Sequence, residues 1–301
     1  MNDTIKNSPF FPGNNDLYQA WKEKKLTHYP KDLGDLVVEI ANPFSLSKGE
    51  RAQILSLCAK ANMAIFHIPA SQRTDDPHPL LAIMGQFGIQ ELDKNLGAGS
   101  DGLSALSPGG SAHAPFSEYI PYRKAAIGWH TDGYYHPSDH QIRTLCLYCK
   151  RPSDIGGENS LWDHEMAYIR LRDDNPDFIP ALMDTTIMTI PARMENGQVA
   201  RPERTGPVFS IHPRDGHLHM RYTHRTVSIR WRDDDVARPA VKALRNLFES
   251  PSPQHFRGRL EAGWGLICHN VLHTREAFHD TSEHEKRILF RARYFDRLPD
   301  A

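Results

Sequence analysis

The stretch Trp129-His130-Thr131-Asp132-Gly133-Tyr134-Tyr135 decides how the rest of the chain is read. It sets an imidazole and a carboxylate two positions apart, and in an extended segment such residues point to the same face. A nitrogen and a hard oxygen could share one cation there. His-x-Asp is a weak signal by itself, because 17 histidines make chance pairs common and a surface or turn pair is the bland alternative. A second stretch, Leu266-Ile267-Cys268-His269-Asn270-Val271-Leu272-His273-Thr274-Arg275, adds a distant histidine inside an apolar run that reads as one strand. His273 is the candidate and His269 its rival, since even spacing on a strand would turn both the same way. Two imidazoles and one carboxylate on one side of a metal leave the opposite coordination positions open.

Size and composition narrow the classes. At 301 residues, with no internal repeat and no linker-like tract, the chain is expected to form one domain over 1–301. Residues 1–34 read as an N-terminal arm packing through Tyr18 and Trp21. Lys and Arg number 36 against 37 Asp and Glu, a net of −1, so no nucleic-acid partner is expected. No apolar run approaches a bilayer span and no basic start precedes one, so the expectation is a cytoplasmic protein with no membrane partner. The sequence leaves a homo-oligomer open. Cys58, Cys146, Cys149 and Cys268 are too few and too scattered for a disulfide framework. Cys146 and Cys149 lie three apart on a strand, facing opposite sides, so core positions suit them better than zinc or redox chemistry.

Along the chain, Leu36–Ile40 reads as a first strand, and Ser47-Lys48-Gly49-Glu50 has the spacing of a capping box before a helix. Ala64–Ile68 reads as a buried strand and Leu80–Phe87 as a helix. The Gly-, Ser- and Pro-rich tract 97–115 is a loop, either a lid or plain surface. Thr144–Cys149 is a strand, Gly156-Gly157 a turn and Met166–Arg172 a helix. From 187 to 229 short β runs alternate with the turns Asn196-Gly197 and Asp215-Gly216, a hairpin pattern. A helical insertion is expected over 233–249, and Arg287–Phe295 closes the chain as a strand with Arg287, Leu289, Arg291 and Arg293 on one face. Arg293 and Arg297 read as rim charges. Many short strands with helices at the front and in one insertion predict the α+β class, a double-stranded β-helix (jelly-roll) core with flanking helices.

In order, the chain carries Trp129-His130-Thr131-Asp132, then Gly156-Gly157-Glu158-Asn159-Ser160-Leu161-Trp162, then His273-Thr274-Arg275-Glu276-Ala277-Phe278, then Arg287-Ile288-Leu289-Phe290-Arg291. This series resembles the Fe(II)/2-oxoglutarate-dependent oxygenases of the taurine-dioxygenase-like group, over about 129–295 with a looser match before it. The resemblance implies iron ligation by His130, Asp132 and His273. It implies that Arg287 grips the distal carboxylate of 2-oxoglutarate, with Ser160 near the assisting hydroxyl. Arg291 matches an arginine that meets either the cosubstrate's other end or an anionic substrate. The turn departs from the family's Gly-Gly-Asp-Thr by one residue, which makes Asn159 a rival to Ser160. The segment 278–287 is also longer than in the relatives.

The residue chemistry agrees. Fe(II) accepts imidazole nitrogen and carboxylate oxygen, and three protein ligands leave sites for a 2-oxo acid and O2. The acid's far carboxylate is then a buried charge suited to arginine's planar fork. Oxidative decarboxylation would release succinate and CO2 while a small-molecule substrate is hydroxylated. Tyr134 and Tyr135 follow the iron motif, one lining the pocket and the other packing. Arg221 either meets the substrate or makes a cross-strand ion pair. With Arg291, it makes an anionic substrate the expectation. Two alternatives stand beside this reading: a zinc-dependent hydrolase with the same three ligands, and a non-catalytic jelly-roll binding protein. The hydrolase has no need of Arg287, and the intact set of His130, Asp132, His273 and Arg287 argues against the binding protein.

Overall fold

The computed structural model describes residues 2–75, 78–95, 97–108, 119–195, 197–225, 229–282 and 286–300, a mixed α/β chain with several sheets. It divides into two compact units, and the chain passes from one to the other five times. One comprises 1–29, 129–141 and 162–254, the other 30–128, 142–161 and 255–301.

In the second unit a six-stranded sheet runs in the order Val37–Glu39, Met63–His67, Trp264–Cys268, Thr144–Arg151, Ile288–Tyr294, Ser104–Leu106. Its first pair is parallel and the others are antiparallel. Alternation sorts the side chains. Phe66, Cys146, Tyr148, Ile267, Phe290, Ala292 and Tyr294 join Ile54, Cys58, Leu80, Ile83 and Met84 of two helices in one apolar cluster. Those helices are Lys48–Ala61 and Pro79–Gly85. The first starts at the expected capping box: Ser47 Oγ accepts from Glu50 N, and the Glu50 carboxylate accepts from Ser47 N at 2.6 Å.

The other face of the sheet carries Leu289, Arg291 and Arg293, opposite Cys149, Leu147 and Leu145. The expected arginine face holds for Leu289, Arg291 and Arg293, whereas Arg287 precedes the strand, whose register shifts between Ile288 and Leu289. Arg293 is no rim charge: it is 2 % exposed and paired with Asp93. A four-stranded sheet has the order Phe256–Gly258, Asn159–Trp162, Leu272–Arg275, Ile127–His130. Before it, Gly156 and Gly157 both have positive φ (71° and 82°). A Cβ on Gly156 would sit 2.3 Å from the carbonyl oxygen of Ala277, so the turn there requires glycine.

Two expectations change. The run from Leu266 to Arg275 is two strands, one in each sheet, broken at Asn270. Asn270 adopts φ 49° and donates from Nδ2 to the carbonyl of Ile142 at 2.8 Å, while His269 N bonds to the carbonyl of Asn62. Asparagine tolerates this left-handed turn better than a β-branched residue such as Val271 would. The inserted helix spans Ala237–Glu249 rather than 233–249; Pro239 has no N–H to bond back to Asp235, and the Asp234 carboxylate instead accepts from Val236 N and Ala237 N just before the helix. The tract 97–115 contains the strand Ser104–Leu106, and its residues 109–115 lie outside the described ones. All four cysteines are buried and free. Burial raises the Cys149 thiol to about 12, so it stays protonated and unreactive at neutral pH.

In the first unit the arm forms the helices Asp3–Lys6 and Asn15–Leu26. Tyr18 is buried and its hydroxyl donates to Asp173, and Trp21 packs edge-on against Phe10 at 4.7 Å. Lys25, 4 % exposed, lies 2.7 Å from Asp163 and 2.5 Å from Glu165. Burial alone would lower its pKa, but the two carboxylates hold it above the ordinary lysine value. Replacing Lys25 with Ala leaves both acids facing an apolar interior, which costs about 3–5 kcal/mol. Urea unfolding reads this directly, and a loss under about 1 kcal/mol would remove the triad as an anchor of the arm.

Candidate active site

In the first unit, residues 129–131 pair antiparallel with 222–224. Thr131 N donates to the carbonyl of Tyr222 at 3.0 Å, His224 N donates to that of Trp129 at 2.8 Å, and His130 bridges Thr223. Thr131 is fully buried and its hydroxyl accepts from Tyr222 N. Aromatic packing holds the pair down: Tyr222 stacks on Phe248 at 4.3 Å, with Trp162 and Trp129 around the same ring. With Thr131 pinned inward, its neighbours His130 and Asp132 turn the other way together, and His130 Nε2 lies 3.8 Å from Asp132 Oδ1. Gly133, φ 68°, then turns the chain.

His273 lies on the strand Leu272–Arg275 and is 7 % exposed. Its Nδ1 lies 3.0 Å from the carbonyl oxygen of Val271. A carbonyl only accepts, so Nδ1 carries the proton and Nε2 keeps its lone pair for a cation. His269, the rival, sits in the turn with Nδ1 3.0 Å from Asn62 Oδ1. Among the described residues, one group of histidines, cysteines or acids suits a metal ion: His130, Asp132 and His273, whose ligand atoms lie within 4.8 Å of one another.

Around His273 the second unit builds a largely apolar cavity. Ile65, Leu147 and Leu266 line it from the six-stranded sheet, Asn159 and Leu161 from the strand beside His273. Asn159 thus faces the same space as His273, and its Nδ2 is held by the carbonyl of Thr274 at 2.8 Å. Ser160 alternates to the other side, opposite the exposed Arg257. Arg291 opposes Leu147, which places it on the cavity face.

Arg287 is 5 % exposed, and its guanidinium lies over the Phe278 ring, 5.0 Å from the centroid. Among the described residues it makes no ion pair. Burial lowers its pKa, partly opposed by Cys149 and Asp280. Arg275, which sequence reading passed over, lies over the same ring at 4.9 Å. It donates to the carbonyls of Pro121, Arg123 and Ala125, fixing the segment that leads into Ile127–His130. Burial, then Arg287, lowers its pKa to about 9, so it remains protonated at neutral pH. The available signal was its two-residue offset from His273.

Arg221 makes no cross-strand ion pair among the described residues. It is 8 % exposed and donates to the carbonyls of Met188 (2.5 Å) and Gly206 (3.3 Å), and burial lowers it to about 10. Tyr134 and Tyr135 are both half-buried and meet edge to face at 5.3 Å.

Two imidazoles and one carboxylate whose ligand atoms could share one cation form the ligand set of non-haem metal oxygenases. The chain belongs to the taurine catabolism dioxygenase TauD, TfdA family, whose pattern matches residues 24–293. It is 30 % identical over 177 residues to uridine-5'-phosphate dioxygenase from Amycolatopsis sp, a match covering 55 % of this chain and 60 % of that protein. Similar solved structures include asparagine oxygenase in complex with Fe(II), a hydroxyasparagine and succinate (TM-score 0.56, 16 % identity, 81 % of this chain and 77 % of that one). The non-heme iron oxygenase OrfP with Fe and alpha-ketoglutaric acid gives TM-score 0.57 at 17 % identity, covering 83 % and 81 %. A taurine dioxygenase from Burkholderia xenovorans gives 0.55 at 17 %, covering 88 % and 89 %. Among the described residues no helix is long and apolar enough to cross a membrane.

Proposed function

We propose that this chain is an Fe(II)- and 2-oxoglutarate-dependent dioxygenase that hydroxylates a small anionic molecule. His130, Asp132 and His273 would hold the iron, Arg287 the distal carboxylate of 2-oxoglutarate, and Asn159, rather than Ser160, would stand near the cosubstrate. When bound, iron and 2-oxoglutarate supply the oxidising power: O2 is consumed, the 2-oxo acid leaves as succinate and CO2, and a substrate C–H becomes C–OH. The protein's residues prepare for this. Val271 fixes the His273 tautomer, the apolar walls Ile65, Leu147 and Leu266 exclude water, and Arg287 supplies a fixed cation.

The observation that carries the reading is the grouping of three ligand atoms within 4.8 Å, in a chain that also buries Arg287 with no ion pair among the described residues. A double-stranded β-helix core and a single domain over 1–301 belong to the same proposal. They are supported by the strands facing each other across the cavity and by a family match unbroken from 24 to 293. Arg291 and the phosphate-bearing substrate named for the Amycolatopsis relative favour an anion as substrate. A zinc hydrolase on the same ligands has no use for Arg287.

Anaerobic titration of metal-free protein with Fe(II) and 2-oxoglutarate tests the proposal. A visible charge-transfer band saturating at one equivalent is expected, and a colourless mixture at saturation would overturn it.

A further inference from the structure

The first unit contains a cluster of arginines beside the two tyrosines that follow the iron motif. The strands Arg193–Glu195 and Gln198–Arg201 form a hairpin whose register slips between Val199 and Arg201. Such bulges re-aim a side chain. Here the bulge brings Arg201 directly opposite Arg193, and like charges facing across a ladder are destabilising. Arg204 is a third cationic neighbour. Arg193 is balanced by Glu195 at 3.2 Å, and Arg204 lies near Asp139. Arg201 has no such acid among the described residues. Its Nη2 donates to the carbonyl of Pro191 at 2.8 Å, whereas Nη1 is shielded from solvent without a hydrogen-bond partner. Its guanidinium lies over the Tyr135 ring, 5.5 Å from the centroid. Tyr135 follows Asp132 by three residues, so their Cα atoms are at most about 11 Å apart.

We propose that Arg201 is a specificity-determining residue that takes a phosphate group of the substrate, with Tyr135 as the platform that orients its fork. This rests on the oxygenase reading for its meaning, though not for its test. Arginine's planar donors match a phosphate two bonds at a time, and a phosphate would give Nη1 the acceptor it lacks and relieve the Arg193–Arg201 repulsion.

Inorganic phosphate is the probe, titrated calorimetrically into the metal-free full chain at fixed ionic strength. Saturable binding is expected. It should weaken at least tenfold in Arg201→Gln, partly recover in Arg201→Lys, and stay unchanged in Arg238→Gln, an exposed control. Four outcomes overturn the assignment: no saturable binding, equal affinity in Arg201→Gln, acetate binding as tightly as phosphate, or a loss that follows Arg287→Ala instead. The iron–2-oxoglutarate band should persist in Arg201→Gln, which shows that the variant folds. Absence of that band in the unaltered protein counts against the oxygenase reading alone, because phosphate binding is measured without metal.

Discussion

Replacing Arg287 with Ala should weaken 2-oxoglutarate binding by about 100-fold or more while leaving Fe(II) affinity within about twofold. Removing one partner of a buried charge-assisted pair costs about 2–5 kcal/mol, and each 1.4 kcal/mol is tenfold. The expected size follows from surroundings as much as from charge. Arg287 is 5 % exposed, lies against Phe278 and makes no ion pair among the described residues, the nearby Asp280 carboxylate accepting only from its backbone N at 3.3 Å. Equilibrium dialysis of 2-oxoglutarate beside iron titration separates the two affinities. The metal-free protein provides a second readout. Burying a cation without an ion pair costs stability, so Arg287→Met should melt no lower than the unaltered protein and is expected to melt higher. An unchanged cosubstrate affinity in Arg287→Ala would remove its role. A marked drop in melting temperature of Arg287→Met would make it a structural residue.

The largest effect is expected from the ligands themselves. His273→Ala or Asp132→Ala should leave less than about 0.1 equivalent of tightly bound iron and lower succinate release by at least 10³-fold, about 4 kcal/mol of lost transition-state stabilisation. The two should differ in the folded scaffold. His273 is tied to its own strand through Val271, so its loss opens space in the cavity wall. Asp132 sits past the pinned Thr131, whose bonds to Tyr222 remain. Circular dichroism near 280 nm should therefore change little in Asp132→Ala. Retention of one full equivalent of iron by either variant, at unchanged affinity, would show that the ion sits elsewhere.

Much of this was legible without coordinates. The capping box at Ser47 and Glu50, the strand Thr144–Arg151 and the arginine face of the last strand all follow from local spacing, because helix caps and strand alternation are set by neighbours in sequence. The order of motifs carried the family. Two of the readings that failed did so because the deciding contact came from far along the chain. Leu266–Arg275 reads as a continuous strand until the carbonyl of Ile142 captures Asn270 and the carbonyl of Asn62 captures His269 N. Arg293 reads as a rim charge until Asp93, 200 positions earlier, is found against it.

The sequence by itself therefore determined which residue types carry the chemistry and which elements bear them, since both follow from spacing within a few positions. Only the tertiary structure decided that Asn159 and not Ser160 faces the space beside His273. It also decided that Arg287 is buried without an ion pair among the described residues and that a bulge sets Arg201 against Arg193 over Tyr135. The physical reason is that a side chain's partner, or its lack of one, depends on strand register and sheet stacking. Both are set by burial summed over the whole chain rather than by any local pattern.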